Sequence, residues 1–167
     1  MINKRRRQYV GILAAIIFYF IIHEGAHLIT ALLMGVFKEL KFLGLGMQID
    51  VFAAQMTDLQ MGVFCIVGAI CTWIAAIFLT IFASRICCLK NKLIRAIFYY
   101  VTIAMLFIDP LYLSILYGFF GGGDMNGIKL LLPEIAARIG FGVLLVINGF
   151  LFVKRILPTY TTSFRKE

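Results

Sequence analysis

Charged residues are scarce in this chain of 167 residues: they make up 14% of it, whereas hydrophobic residues make up 62%. A soluble domain of this size cannot bury so much apolar surface. The sequence also lacks a polar stretch long enough to fold separately from the apolar segments. These shortages exclude an ordinary soluble protein and predict a single membrane-embedded domain over residues 1–167.

Acidic residues are fewer than basic ones, with 8 Asp and Glu against 16 Lys and Arg and a net charge of +8. In a soluble protein this balance would suggest nucleic-acid binding. Here the basic residues cluster at the ends of apolar segments, which is the pattern of membrane topology. We therefore expect a lipid bilayer around the chain and no nucleic-acid partner.

The four cysteines do not indicate a cysteine metal site or a disulfide framework, because their spacing matches neither. Cys65 and Cys71 lie within an apolar run, where a free cysteine is ordinarily a small buried residue. Cys87 and Cys88 lie beside a basic loop, and packing is favoured over acylation there.

Four apolar spans are long enough to cross a bilayer, which takes about 20 residues; they cover residues 9–36, 61–86, 93–119 and 135–157. The chain begins like a signal peptide, but the apolar run is too long and no cleavage site follows. We interpret it as the first transmembrane helix of an all-α polytopic membrane protein. We expect Asp109-Pro110 to break the third span, and Gly140 and Gly142 to break the fourth.

Two connections differ from these spans. Residues 37–51 partly alternate polar and apolar side chains and contain glycines, which predicts a short strand or hairpin after the first helix. Such backbone can lie at a membrane only against protein or a polar cavity. The other connection begins with Gly121-Gly122-Gly123, which permits unusual backbone shapes directly before Asp124. A helical run over residues 128–132 is expected to follow.

Basic residues also predict the topology. They concentrate in residues 4–7, 85–95 and 154–166, which four spans place on one side. The positive-inside tendency puts the amino and carboxyl termini in the cytoplasm and the loop after the first span outside.

The first span contains His23, Glu24 and His27 in the pattern H-E-x-x-H. Residues four apart share one face of a helix, so both imidazoles can reach one zinc ion. Zinc lowers the pKa of a bound water to about 7, and the glutamate can take its proton during attack on a peptide carbonyl. The same glutamate can then protonate the leaving amine. The pattern predicts one Zn²⁺ per chain, with Glu24 as the general base.

Helix packing is the competing interpretation, since Gly25 and Ala26 suit a close helix contact. It explains the small residues but not the ionisable ones, because a charge within a membrane helix costs about 2.5–3.5 kcal/mol. Both histidines of the chain also fall within this motif. The metal site is therefore the preferred interpretation.

A catalytic zinc needs a third protein ligand, and a carboxylate is expected. The candidates are Glu39, Asp50, Asp58, Asp109, Asp124 and Glu134. Asp124 is preferred because the glycines before it let the backbone bend towards the site. Its alternative role is a helix N-cap.

Two further residues have open roles. Asp109 lies near the middle of an apolar span and precedes Pro110. It is a candidate third ligand, a partner of a zinc-bound histidine, or an acceptor for backbone donors freed by the proline. Asn126 can contact the substrate or an oxyanion, or serve as a turn residue before Gly127.

With His23-Glu24-Gly25-Ala26-His27 inside an apolar helix, the chain resembles the site-2 protease family of intramembrane zinc metallopeptidases. Residues 35–46 are similar to the membrane-associated strand region of that family, and residues 68–72 to a small-residue motif in its next core helix. Gly123-Asp124 is similar to the segment that donates the aspartate ligand.

The resemblance implies proteolysis of a membrane protein or peptide precursor, with ligands His23, His27 and Asp124. The resemblance also implies that the loop after the motif helix faces the cytoplasm, whereas the distribution of basic residues places this loop outside.

Two other classes of function stay open. One is a non-proteolytic membrane metal-binding or transport module, or an inactive protease-like protein that binds substrates. The other is a helix-packing protein with fortuitous histidines. A transport path would normally line several spans with polar residues, and such residues are few here, which favours the enzyme.

Overall fold

The structure, a computed structural model, describes residues 3–43, 46–121 and 123–165. The chain forms α1 (Lys4–Leu33), a hairpin of β1 (Phe37–Leu43) and β2 (Gly46–Val51), and α2 (Asp58–Cys87). The second half contains α3 (Lys92–Leu111), α4 (Tyr117–Phe120), α5 (Met125–Ile128), α6 (Glu134–Leu151) and α7 (Leu157–Arg165).

Four helical stretches are long and apolar enough to cross a membrane: α1, α2, Lys92–Phe120 and Glu134–Arg165. The four long apolar helices and the strand segment after the first helix are confirmed, and the helix bounds differ from the predicted ones by a few residues. The helix α2 begins early because Thr57 and Gln60 form a reciprocal capping box.

Side-chain size is sorted between the inside and the outside of the helices. Alanines fill the closest contacts, and Ala31, Ala76 and Ala83 are fully buried. Large apolar side chains cover the outer faces and stay exposed, among them Leu13, Ile21, Ile74, Phe78, Ile139 and Val146. This arrangement is typical of helices that pack through small residues and present large ones to lipid.

The predicted break at Asp109-Pro110 was wrong. The third helix runs through Pro110 and continues by a π-helical turn, Tyr112–Leu116, into α4. Proline has no N–H to donate to the carbonyl four residues earlier, that of Leu106. Asn148 of α6 replaces this donor, because its side-chain Nδ2 donates to Leu106 O at 2.6 Å. A side chain of a neighbouring helix thus supplies the hydrogen bond to the Leu106 carbonyl that the proline cannot donate.

The predicted breaks at Gly140 and Gly142 were also wrong, since α6 runs across both and continues through a π-helical turn, Phe152–Ile156, into α7. A lone glycine costs a helix only about 1 kcal/mol, which is too little to end it.

The helical run expected over residues 128–132 was misplaced: the helix is Met125–Ile128, and turns follow it. Leu130 and Leu131 donate to carbonyls three residues back, as in tight turns. The chain then reaches Pro133, whose ring disfavours helical backbone at the residue before it. Gly122 of the glycine run lies outside the described residues.

The hairpin is antiparallel and pairs Leu40 with Ile49 and Lys41 with Gln48. Ile49 is buried, and β2 lies against α1. Asp50 accepts from the Lys41 ammonium at 2.7 Å and from Lys38 at 2.9 Å. These two contacts, with Lys41 contributing most, lower the pKa of Asp50 to about 2. Gly44 and Leu45, part of the strand-like region, lie outside the described residues.

Candidate metal centre

The helix α1 turns the two imidazoles of its motif towards the interior of the protein. His23 is 7% exposed and His27 is 3% exposed, and their Nε2 atoms lie 3.2 Å apart. Four residues separate them, so one helical turn places one ring above the other. Two nitrogen lone pairs are thereby brought to one point inside the bundle.

Asp124 reaches the same point from the other half of the chain. Its Oδ2 lies 3.1 Å from His23 Nε2, and its Oδ1 lies 3.5 Å from His27 Nε2. Gly121 and Gly123, with φ of 61° and 57°, adopt the left-handed backbone that lets the chain turn inwards here. The carboxylate makes no capping hydrogen bond to α5. Its side chain therefore faces the histidines rather than capping the helix.

Both imidazoles are also held at their other nitrogen. His27 Nδ1 lies 2.7 Å from the carbonyl oxygen of Phe64, which can only accept a hydrogen bond. Nδ1 therefore carries the proton, and Nε2 presents a lone pair. His23 Nδ1 lies 3.3 Å from Asp109 Oδ1. Such partners fix the tautomer and the ring orientation that a metal-binding histidine needs.

Asp109 is 4% exposed and lies behind His23, on the side away from Asp124. The hydroxyls of Tyr19 and Thr72 both donate to its carboxylate. Of the three roles open to Asp109, the contacts match the partner of a histidine. Asp109 approaches Nδ1 of His23, whereas the ligand atoms that lie close together are those of His23, His27 and Asp124.

Gly68 of α2 forms the wall opposite the two rings. A Cβ atom added to Gly68 would lie 2.6 Å from His27 Nε2 and 2.8 Å from His23 Nε2. Only glycine leaves room for the rings at this crossing of α1 and α2, which gives the small-residue segment 68–72 a structural reason.

The separations of the three donors fit a tetrahedral ion. Ligand atoms at about 2.0–2.1 Å from zinc lie roughly 3.3 Å from one another. His23, His27 and Asp124 form a group of ligand atoms that all lie within 4.8 Å of one another, the only such group among the described residues. Two imidazoles and one carboxylate are also the donor set of many catalytic zinc sites. The residues present therefore fit such an ion.

No protein-family model, curated protein or solved structure matches this chain. Its function is therefore inferred from the chemistry of the site itself.

Glu24 lies between the site and the hairpin. Its Oε2 accepts a hydrogen bond of 3.3 Å from the backbone N–H of Ile49 in β2. This N–H points towards α1 and not towards β1, so the edge of β2 beside Glu24 is not paired with the other strand. A cavity of about 320 Å³ opens here, and its walls include Glu24, Met47, Gln48 and Ile49.

The remaining sequence candidates do not join this group. Asn126 is exposed, and its side chain accepts a hydrogen bond from the Tyr117 hydroxyl at 3.3 Å. It is not among the described residues that line the cavity, and its contact with a substrate or an oxyanion stays a prediction. Four other candidate carboxylates lie away from the histidines, on the hairpin and at the starts of α2 and α6: Glu39, Asp50, Asp58 and Glu134.

Sequence reasoning missed two tyrosines of the site. Tyr19 precedes His23 by four residues, and this spacing alone places both on one helix face. Tyr112 holds the glycine turn, because its hydroxyl donates to Gly121 O at 2.8 Å. Nothing in the local sequence indicates this second contact.

Proposed function

We propose that this protein is an integral membrane zinc metalloprotease that hydrolyses peptide bonds of membrane-embedded or membrane-associated substrates. The observation that carries the proposal is the meeting of His23, His27 and Asp124 beside Glu24, within helices apolar enough to cross a bilayer. Burying these polar groups costs free energy, and a shared metal ion compensates for it.

His23 and His27 would hold the ion through their Nε2 atoms, and Asp124 through a carboxylate oxygen. Zinc, when bound, supplies a Lewis acid and lowers the pKa of a coordinated water to about 7. Asp109 and the Phe64 carbonyl keep the two rings in the required tautomer and orientation. Gly68 keeps space for them.

Glu24 is the general base of the proposed reaction. Its carboxylate accepts a proton from the attacking water and then donates it to the leaving amine. The hydrogen bond from the Ile49 N–H holds one carboxylate oxygen in place and leaves the other for this transfer. The helix α1 supplies two of the proposed ligands, the turn before α5 supplies the third, and β2 orients the base.

The substrate must be extended at the site, because a helical segment hides its carbonyls in its own hydrogen bonds. The edge of β2 beside Glu24 offers backbone groups to such a segment, as in strand addition. Membrane proteins with a single span and peptide precursors both fit this requirement. We place both termini in the cytoplasm from the charge pattern.

The test is the substitution Glu24→Gln, which removes the base and leaves all three metal donors. We expect zinc at one ion per chain, as in the wild type, with loss of proteolysis. Because the substrate is unidentified, cleavage is measured as new protein termini in membranes that express wild type or variant, detected by mass spectrometry. Glu39→Gln, an exposed carboxylate on β1, is the matched control and should keep full activity.

Termini that appear equally with Glu24→Gln would contradict the mechanism. Absence of zinc from protein purified without chelators would contradict the metal site itself. Metal uptake by vesicles that is insensitive to Glu24→Gln would favour a transport module instead.

A further inference from the structure

A second cavity lies at the amino-terminal end of α1, and none of its described lining residues belongs to the metal centre. Its volume is about 550 Å³, within the range of small-molecule sites. It opens between the start of α1, the first turns of α3 and the end of α7. These three helix ends belong to the side that carries the basic clusters.

The polar lining of this cavity is cationic. Lys4, Arg7 and Arg165 line it, and no acidic residue is present among the described residues of its wall. Within the described part of the chain, no salt bridge to these three side chains is found. Gln8 and Thr161 add neutral hydrogen-bond donors. Among the residues that the structure describes, the polar groups of this wall are therefore cations and neutral groups, with no acid beside them.

Apart from Ala96, the rest of the described wall is aromatic. The rings of Tyr99 and Tyr160 lie tilted by 50° with centroids 5.1 Å apart, and Tyr160 is 1% exposed. Phe164 lies beneath Arg7, whose guanidinium carbon is 6.0 Å from the ring centroid. Cations at the mouth and rings below them suit a ligand with an anionic head and an apolar body.

Helix stability does not explain these cations. Lys4 and Arg7 stand in the first turn of α1, where the helix dipole favours negative charge, and that turn contains no acid. The N-cap residue Asn3 makes no side-chain hydrogen bond to the helix. An anion bound beside this turn would balance both the cationic side chains and the unsatisfied N–H groups.

We propose that this cavity binds a phosphate group, in the form of the headgroup of an anionic phospholipid. Tyr99 and Phe164 would contact the glycerol and the first methylenes, while Lys4, Arg7 and Arg165 would hold the phosphate. Free phosphate shares the anionic chemistry but has no apolar body to cover the rings. The proposal is independent of the metal centre and of proteolysis.

The experiment compares two double variants of the full chain that remove equal charge from the same helical turn. Lys4→Gln with Arg7→Gln removes cavity residues, whereas Arg5→Gln with Arg6→Gln removes exposed residues outside the cavity. Protein in detergent is titrated with phosphatidylglycerol or phosphatidylcholine, and retained lipid is counted by native mass spectrometry. In a separate experiment, the thermal unfolding temperature is measured at increasing concentrations of inorganic phosphate.

We expect the cavity variant to retain phosphatidylglycerol roughly tenfold more weakly than the wild type and the control variant less than about twofold, with phosphatidylcholine weak throughout. Stabilisation by inorganic phosphate that the cavity variant alone loses, without preferential retention of phosphatidylglycerol, would assign the site to a soluble phosphate and overturn the lipid proposal. Equal loss in both variants, or in neither, would overturn the proposal. Zinc content and helical circular dichroism must match the wild type, which shows that each variant is folded.

Discussion

At the scale of single residues, His23 is the most constrained side chain of the site. One ring nitrogen faces Asp124 and the other faces Asp109, so the ring lies between two carboxylates. Asp109 in turn accepts hydrogen bonds from Tyr19 and Thr72. This buried chain of contacts fixes the ring far more firmly than the helix backbone alone would.

We predict that Asp109→Asn weakens zinc binding about 10- to 100-fold, the usual effect of losing a carboxylate behind a metal-bound histidine. The amide keeps the size of the side chain but loses its charge and part of its capacity to accept hydrogen bonds. The dissociation constant is measured by competition with a chelator of known affinity.

Asp58→Asn is the control for this measurement, because Asp58 is an exposed carboxylate at the start of α2. Its zinc affinity should equal that of the wild type. An Asp109→Asn protein with unchanged affinity would show that His23 needs no such partner.

At the scale of elements, the crossing of α1 and α2 determines whether the imidazoles fit. The closest point is Gly68, where an added Cβ would approach both Nε2 atoms to less than 3 Å. A real Cβ atom at that distance would require the rings or the helices to move apart.

Gly68→Ala is predicted to lower the zinc content to a small fraction of one ion per chain while α-helical circular dichroism is retained. The matched substitution is Gly25→Ala, which lies between the two histidines in sequence but has no atom within 4 Å of the added Cβ. Zinc content is measured by plasma mass spectrometry on both proteins. Full zinc occupancy in Gly68→Ala would mean that the helices separate without loss of the site.

The third helix shows where local sequence rules fail at this scale. Pro110 correctly signals a missing hydrogen bond, but the helix does not break, because Asn148 donates to the Leu106 carbonyl. Asn148 is fully buried and also accepts from Trp73 Nε1 at 3.3 Å. Its partners come from two other helices, so no pattern within α6 could have predicted them.

At the scale of the whole molecule, the side of the membrane that each loop faces is still a prediction. The charge count places the connection between α2 and α3 in the cytoplasm. The exposed thiol of Cys88 in this connection offers a direct test, since Cys65 is buried and the other two cysteines are partly buried.

We predict that a membrane-impermeant maleimide labels Cys88 only after cells are opened, and that Cys88→Ser removes this signal. A cysteine placed on the hairpin by Phe42→Cys, at a side chain that is 75% exposed, should label in intact cells. The reverse pattern would support the sidedness that the family resemblance implies.

The sequence by itself determined the properties that depend on composition and on neighbours along the chain. Apolar length predicted the four long helices, alternation predicted the hairpin, and helical spacing brought His23, Glu24 and His27 to one turn. Tertiary structure decided which of six carboxylates meets the imidazoles, that Asp109 lies behind His23, and that Ile49 holds Glu24. The physical reason is that helix periodicity is a local property, whereas contacts between distant segments depend on how the helices pack and where the glycine turn bends.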